Sequence, residues 1–441
     1  MQVLDIDRRE FCILDTMSVA RDLKPVPGET ADERDFRRRV RIWLDENAVL
    51  RTEANGELDI RLDDVDADGV TAARRFQATL YEAGLAGIGW PTEFGGQGLS
   101  DRYEHLFARE AARYLLPNRV LGIGLGMCGP TILARGSDEQ RRRYLPGLLR
   151  GDDLWAQLFS EPDAGSDLAS VRTMARRDGD QWVVDGQKVW TSGAHLADLG
   201  LLLARSDVNQ PKHRGMTMFI LDMRAPGVTV RPLRQMTGQA RFNEVFLDGV
   251  VIKDEQRVGE VNRGWQAAMA TLGSERHSVG GSSTAARAGT AAEIIGLVSG
   301  RAAAGSGVVR QALADAWIRE RLLELMAERA SQAFLTNRSD GPEGALVKLM
   351  TTRLMATMTR LAMSLVGISA IAWDESDPGG DVWAQRLCLV PGLAIAGGTD
   401  EVLLTTLGER ILGLPKESRV DAEIPFRDTL AGRATAQWGR A

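Results

Sequence analysis

The chain has 441 residues, too many for one ordinary core, so two or three packed domains are expected. Hydrophobic residues make up 44% and charged residues 26%, the balance of a soluble globular protein. The 54 basic and 60 acidic residues give a net charge of −6, with Arg and Lys scattered rather than massed, which argues against a nucleic-acid groove.

Cys12, Cys128 and Cys388 form no CxxC pair, and His105, His195, His213 and His277 are scattered. Neither a disulfide framework nor a metal centre is expected, and a reducing cytoplasm fits. No apolar run reaches the roughly 20 residues of a membrane span. The first 27 residues lack the apolar core of a signal peptide. They read as an extension, with Met17 as an alternative start.

Helical periodicity begins at about residue 30. Thr30-Ala-Asp-Glu33 has the form of a capping box, followed by Phe36, Val40, Trp43 and Leu44 on one face. Further helices are predicted near 71–86, 103–116 and 138–149, with Trp90-Pro-Thr-Glu-Phe-Gly-Gly-Gln-Gly98 as a glycine-rich break. Gly124-Leu-Gly-Met-Cys-Gly129 matches the dinucleotide pattern GxGxxG. Its flanks are helical, so tight helix packing is the expected reason for these glycines.

From about 154 to 261 the pattern changes to short strands. Trp182-Val-Val-Asp-Gly-Gln-Lys-Val-Trp190 reads as a hairpin turning at Asp185-Gly186, and strands follow near 199–204, 216–223, 228–233 and 244–247. Long amphipathic helices return at about 309–334 and 345–366, with a shorter one at 399–412 stopped by Gly413 and Pro415. The expected fold is α+β. A helical N-terminal domain (30–153) precedes a small β-barrel or sandwich (154–262) and a four-helix-bundle-like C-terminal domain (263–417), with residues 1–29 and 418–441 as extension and tail.

The stretch Gln157-Leu-Phe-Ser-Glu-Pro-Asp-Ala-Gly-Ser-Asp167 ends a strand and turns at Pro162. Gly165 lets a ligand approach the backbone, while Ser160 and Ser166 offer hydroxyls to an oxygen-rich anion. On local chemistry alone, a polar turn without a ligand fits equally. Lys188-Val-Trp-Thr-Ser-Gly-Ala194 sets an aromatic plane, Trp190, beside a hydroxyl, Ser192. That pairing suits a flat heteroaromatic ring, and an ordinary core indole is the alternative.

These stretches, with Trp90-Pro-Thr-Glu-Phe-Gly-Gly, Gly397-Gly-Thr-Asp-Glu401 and Glu409-Arg-Ile-Leu-Gly-Leu-Pro415, resemble the acyl-CoA dehydrogenase family over about residues 33–417. The resemblance implies FAD and the helical, β, helical domain order. It also implies dimers or tetramers of like or unlike chains, with an electron-transfer flavoprotein as acceptor. It assigns Gln157, Leu158, Phe159, Ser160, Ser166, Trp190, Thr191, Ser192, Thr399 and Glu401 to the flavin, with Ser160 near the pyrimidine edge and Ser192 near N5. Ser166, Glu275, Arg276, Gly397 and Gly398 are implied to face the acyl-CoA.

Two positions depart from the family pattern. Gly397 stands where many members carry the catalytic glutamate, and glycine takes no proton. In the branch that places its base before an arginine on another helix, the matching residue is Glu275, in Thr271-Leu-Gly-Ser-Glu-Arg276. A helix-surface pair of Glu275 with Arg276 is the alternative. The Arg-x-x-Phe-Gly segment that reaches a neighbouring flavin adenine is absent around 300–308. The expected reaction is α-proton removal by Glu275 with β-hydride transfer to flavin N5. An acyl-CoA oxidase and a non-catalytic partner subunit remain as rivals. Displacement of the base is associated, by resemblance, with bulky acyl groups including sterol side chains.

Overall fold

A computed structural model of the protein describes residues 26, 28–50, 66–279, 290–298, 306–335, 343–373, 381–416 and 421–429. The side chains of 275–279, 331 and 333–335 are outside that description. Most of the N-terminal extension and most of the segment 300–308 fall outside it as well.

Helix α1 (Ala31–Asn47) starts at the expected capping box: the Glu33 amide donates to Thr30 Oγ1 at 3.3 Å and the Thr30 amide to the Glu33 carboxylate at 2.9 Å. Phe36, Val40 and Leu44 are buried with residues of α2 (Ala67–Glu82) and α3 (Asp101–Ala111). Arg37 and Arg41 both donate to the buried Glu110, tying α1 to α3. The helix expected to reach residue 116 stops at Ala111, because Tyr114–Leu115 pairs antiparallel with Val49–Leu50. The glycine-rich break is a close-packed loop in which a Cβ at Gly96 would collide with the Trp90 carbonyl.

Gly124 to Cys128 form a π-helical turn leading into α4 (Gly129–Arg135) and then α5 (Asp138–Arg150). A Cβ at Gly124 would touch Trp155 at 3.4 Å, and one at Gly129 would strike the Trp90 ring. The GxGxxG spacing therefore serves packing, as its helical flanks imply.

The middle sheet comprises β1 (Trp155–Leu158), β2 (Met174–Asp178), β3 (Gln181–Ser192), β4 (Leu199–Arg205), β5 (Met216–Asp222), β6 (Val228–Leu233), β7 (Phe242–Lys253) and β8 (Arg257–Val258). The strands run in the order β8-β5-β4-β2-β3-β7-β6, with β1 parallel to β4. The expected hairpin at Asp185-Gly186 is incorrect. Both halves of β3 pair with the same strand, β7, so the chain passes straight through. The reversal occurs earlier, at Gly179-Asp180 between β2 and β3, where Gly179 has φ 62°. Gly186 instead lies at a register shift, where a Cβ would come within 2.7 Å of the Thr173 Cα.

Helix α6 (Gly264–Val279) leaves the sheet so closely that a Cβ at Gly264 would sit 2.9 Å from the Met216 carbonyl carbon. Helices α7 (Ala291–Val298), α8 (Gly307–Leu335), α9 (Glu343–Val366) and α10 (Val382–Ile395) share a core of Ile294, Leu323, Leu354, Met358 and Trp383. The chain ends its helical part in α11 (Asp400–Thr406) and a π turn. By length and composition the stretch Val382–Ile411 is apolar enough to cross a membrane, which qualifies the expectation from the sequence. It is broken at Gly397 and Gly398, which have φ 67° and 92°, and α10 has only 14 residues against the roughly 20 of a span.

Candidate active site

Strand β1 delivers the first expected stretch. Leu158 and Phe159 point into separate cores, so these two residues can offer a ligand only their backbone. Beyond them, Glu161 and Ala164 exchange amide-to-carbonyl bonds of 3.1 and 3.0 Å, closing a tight turn. Gln157 and Ser160 are half-buried and Ser166 is exposed. A Cβ at Gly165 would meet open space, so packing within the chain does not account for that glycine.

The turn is locked from below. Glu161 accepts from the Arg172 amide at 2.6 Å, the Thr173 amide at 2.9 Å and Lys188 Nζ at 2.8 Å. Lys188, fully buried, also donates to the Phe159 carbonyl at 2.9 Å. Burial alone would raise the Glu161 carboxyl, but the Lys188 ammonium and the amide donors hold it below the ordinary carboxylate range.

Strand β3 delivers the second stretch through a bulge. Its register against β7 shifts between Lys188 and Thr191, and the Val189 amide donates to the Ser160 carbonyl at 2.9 Å. The bulge leaves Trp190 at φ 59°, an uncommon conformation for a bulky residue. Its indole is 61% exposed and meets Phe242 edge-on at 5.9 Å. The core-indole alternative is therefore set aside.

Thr191 is buried, and its Oγ1 has no hydrogen-bond partner among the described residues. Ser192, half-buried, lies opposite Phe242 on β7. An open aromatic face beside an orphaned hydroxyl and a second hydroxyl fits a planar ring with a polar edge.

The remaining expected residues come from other elements. Thr399 caps α11, its hydroxyl accepting from the Val402 amide at 3.2 Å, while Glu401 is exposed. The buried Lys348 of α9 anchors the loop before α11, donating to the carbonyls of Ala394 at 3.1 Å and Gly398 at 2.9 Å and to Asp400 at 3.0 Å. Glu275 and Arg276 belong to α6 one turn beyond Thr271, which bonds to Thr131 of α4 at 2.8 Å. Their side chains lie outside the described residues.

The structure joins the 157–166 stretch to the strand carrying 190–192 through the Val189–Ser160 bond, while α6, which carries Glu275, and α11, which follows the Gly397–Thr399 loop, both pack on α9. Sequence reasoning missed Glu161, Lys188 and Lys348. Lys188 was legible: it occupies an inward position of the alternation that buries Trp182 and Val184.

Three family models match the chain in order: acyl-CoA dehydrogenase N-terminal domain over 30–152, middle domain over 156–250 and C-terminal domain over 262–412. The chain belongs to the acyl-CoA dehydrogenase family. A curated relative, acyl-CoA dehydrogenase IpdE1 of Mycobacterium tuberculosis, is 35% identical over 88% of this chain and 99% of its own length. The solved Tcur3481-Tcur3483 steroid ACAD superposes with a TM-score of 0.74 at 27% identity, covering 88% of this chain and 99% of that one. The ChsE4-ChsE5 complex from Mycobacterium tuberculosis does so at 0.69 and 28%, covering 89% and 100%. The chain is an oxidoreductase of this family with its α+β domain order, and membership implies a flavin.

Proposed function

We propose that this acyl-CoA dehydrogenase uses FAD to introduce an α,β double bond into an acyl-CoA, with Glu275 as the base. The observation that carries the reading is the bulge in β3, which turns Trp190 outward beside the Ser160 turn. Trp190 would stack on the flavin ring, with Ser160 near its pyrimidine edge, Ser192 near N5 and the Thr191 hydroxyl as a further polar partner. FAD, when bound, supplies the oxidant that takes the β-hydride.

The chain's own residues supply the rest. The Glu275 carboxylate takes the α-proton as negative charge develops on the thioester oxygen. A backbone amide at Gly397 or Gly398, in the loop whose Gly398 carbonyl accepts from Lys348, would face that oxygen and stabilise the charge. Ser166, exposed at the turn, meets the CoA side of the substrate, and Thr399 and Glu401 line the flavin from α11.

The substrate class follows the solved steroid ACAD: a bulky, sterol-derived acyl-CoA, and the family resemblance makes an electron-transfer flavoprotein the proposed acceptor. A second chain completes the assembly. Ile368, Ile371, Ile395, Leu412 and Leu414 are each exposed apolar side chains near the ends of the C-terminal helices, surface that a partner chain could cover. A non-catalytic role in that assembly is the second reading, and the side-chain-free Gly397 favours it.

One experiment separates the readings. The protein, co-expressed with its partner chain where one is needed, is mixed anaerobically with a panel of acyl-CoAs while flavin bleaching is followed. Glu275→Gln is expected to retain flavin and slow bleaching by at least ~10²-fold, the lower end for a general base. Bleaching at the wild-type rate in Glu275→Gln would remove Glu275 from the role.

A further inference from the structure

The family match ends at residue 412, yet residues 421–429 return to the middle domain. Pro425 bridges to Pro211 on the loop between β4 and β5, the Phe426 amide donates to the Gln210 carbonyl at 2.8 Å, and the Arg427 amide to the Val208 carbonyl at 3.0 Å. Arg427 Nη1 adds a bond to Asn209 Oδ1 at 2.6 Å. Phe426 is completely buried, its ring 4.0 Å from the guanidinium carbon of Arg205.

Arg205 is itself fully buried, and among the described residues no carboxylate forms an ion pair with it. Its guanidinium is held by carbonyls from two directions: Ala169 at 2.6 Å and Val171 at 3.3 Å on the turn side, Lys212 at 2.9 Å and Arg214 at 3.1 Å on the loop side. Burial works against this cation and pulls its pKa down to about 10. An aromatic face over a desolvated guanidinium offsets part of that cost. A second tie runs alongside: Lys212 Nζ meets Asp421 of the returning segment at 2.8 Å and Asp167, next to Ser166, at 3.0 Å.

We propose that residues 421–429 form a strap that positions the 160–171 turn through Phe426 and Arg205, so that this segment supports the flavin and acyl-CoA site from behind. Phe426 and Arg205 act as positioning residues and touch neither ligand. With the strap seated, the guanidinium clamps the turn to the β4–β5 loop. Without it, the buried face of Arg205 opens to water and the clamp loosens. The inference rests on the flavin reading of the turn but is tested apart from it.

The test uses the full chain, with the partner chain present where the wild type requires it. Hydrogen–deuterium exchange is followed in peptides covering 160–171, with peptides from β3 and β7 as reference. Phe426→Leu keeps an apolar filler but removes the ring face, and a chain ending at residue 416 removes the strap.

Both variants are expected to exchange roughly tenfold faster at 160–171 while β3 and β7 stay unchanged, the scale of one desolvated cation–π contact. The same variants should raise the FAD dissociation constant and the acyl-CoA KM, and leave the rate at saturation closer to wild type. Exchange at 160–171 that stays at the wild-type rate, or rises only in step with the whole sheet, overturns the strap. Wild-type protein that takes up no FAD overturns the flavin reading instead and leaves the exchange result standing. If the truncated chain does not fold, Phe426→Leu alone decides.

Discussion

Two loops of this protein are each pinned by a buried lysine, with opposite consequences. Below the 160–167 turn, Lys188 meets a carboxylate that is nearly as buried as itself, and amides fill the remaining lone pairs of Glu161. Beside the Gly397 loop, Lys348 meets carbonyls and Asp400, whose side chain is still partly open to solvent. The first arrangement over-determines a turn that presents side chains. The second holds a stretch of glycine backbone on an apolar, largely uncovered helical face. On the proposed reading, the flavin half is built from a locked turn and a bulge of the middle domain, while the acyl half would draw Glu275 from α6 beside a loop on a largely exposed apolar helix.

The comparison breaks most sharply at the lysines. Lys188→Met strands the Glu161 carboxylate in the core and is expected to cost about 3–5 kcal/mol, the range for breaking a buried pair. Lys348→Met is expected to cost less, about 1.5–3 kcal/mol for charge-assisted hydrogen bonds whose acceptors stay near water. Denaturant midpoints of the two variants test the order, and equal losses would show that the two lysines do the same work.

The pair also predicts a pH response. The folded pKa of Glu161 lies below its unfolded value, so its stabilisation is present above the ordinary carboxylate range and lost as pH falls through the folded value. Glu161→Gln should therefore flatten the acid limb of the stability curve. An acid limb unchanged by that substitution would assign acid sensitivity to other carboxylates.

Gly397 comes next in size. Its φ of 67° places a side chain in the left-handed region, so Gly397→Glu is expected to lower stability by about 1–2 kcal/mol before any effect on chemistry. In the Glu275→Gln background it should nevertheless restore part of the flavin bleaching, if both positions face one α-carbon. Restored bleaching without loss of stability would mean that the loop relaxes to accept the side chain.

How much of this was legible in the sequence differs between the same two regions. The capping box, the helical flanks of GxGxxG and the change from helix to strand near residue 154 were all readable, because local periodicity and capping decide them. The turn at Asp185-Gly186 was misread: Asp-Gly is a strong hairpin signal, but tertiary pairing of both flanks with β7 overrode it. The exposure of Trp190 was hidden because a bulge, not strand parity, decides where it points. The contacts of Lys348 and Arg205 were hidden too, since their acceptors are carbonyls up to 50 residues away in the chain.

The smallest expected effect on the fold, and the most selective on function, is at Trp190. Because the indole is 61% exposed and touches Phe242 only edge-on, Trp190→Ala should cost no more than about 1.5 kcal/mol, the upper end for one aromatic pair. Alanine keeps the left-handed strain at φ 59°, whereas glycine is at ease there, so Trp190→Gly should recover roughly 1 kcal/mol relative to alanine. If the indole were merely a packing group, retained flavin would track stability and the glycine variant would hold more of it. If it is the wall of the flavin site, both variants should lose flavin affinity by a similar factor, roughly tenfold, whatever their stabilities. Titrating FAD into both apoproteins, with denaturation midpoints measured in parallel, separates the two, because stability is then expected to differ between alanine and glycine while affinity does not.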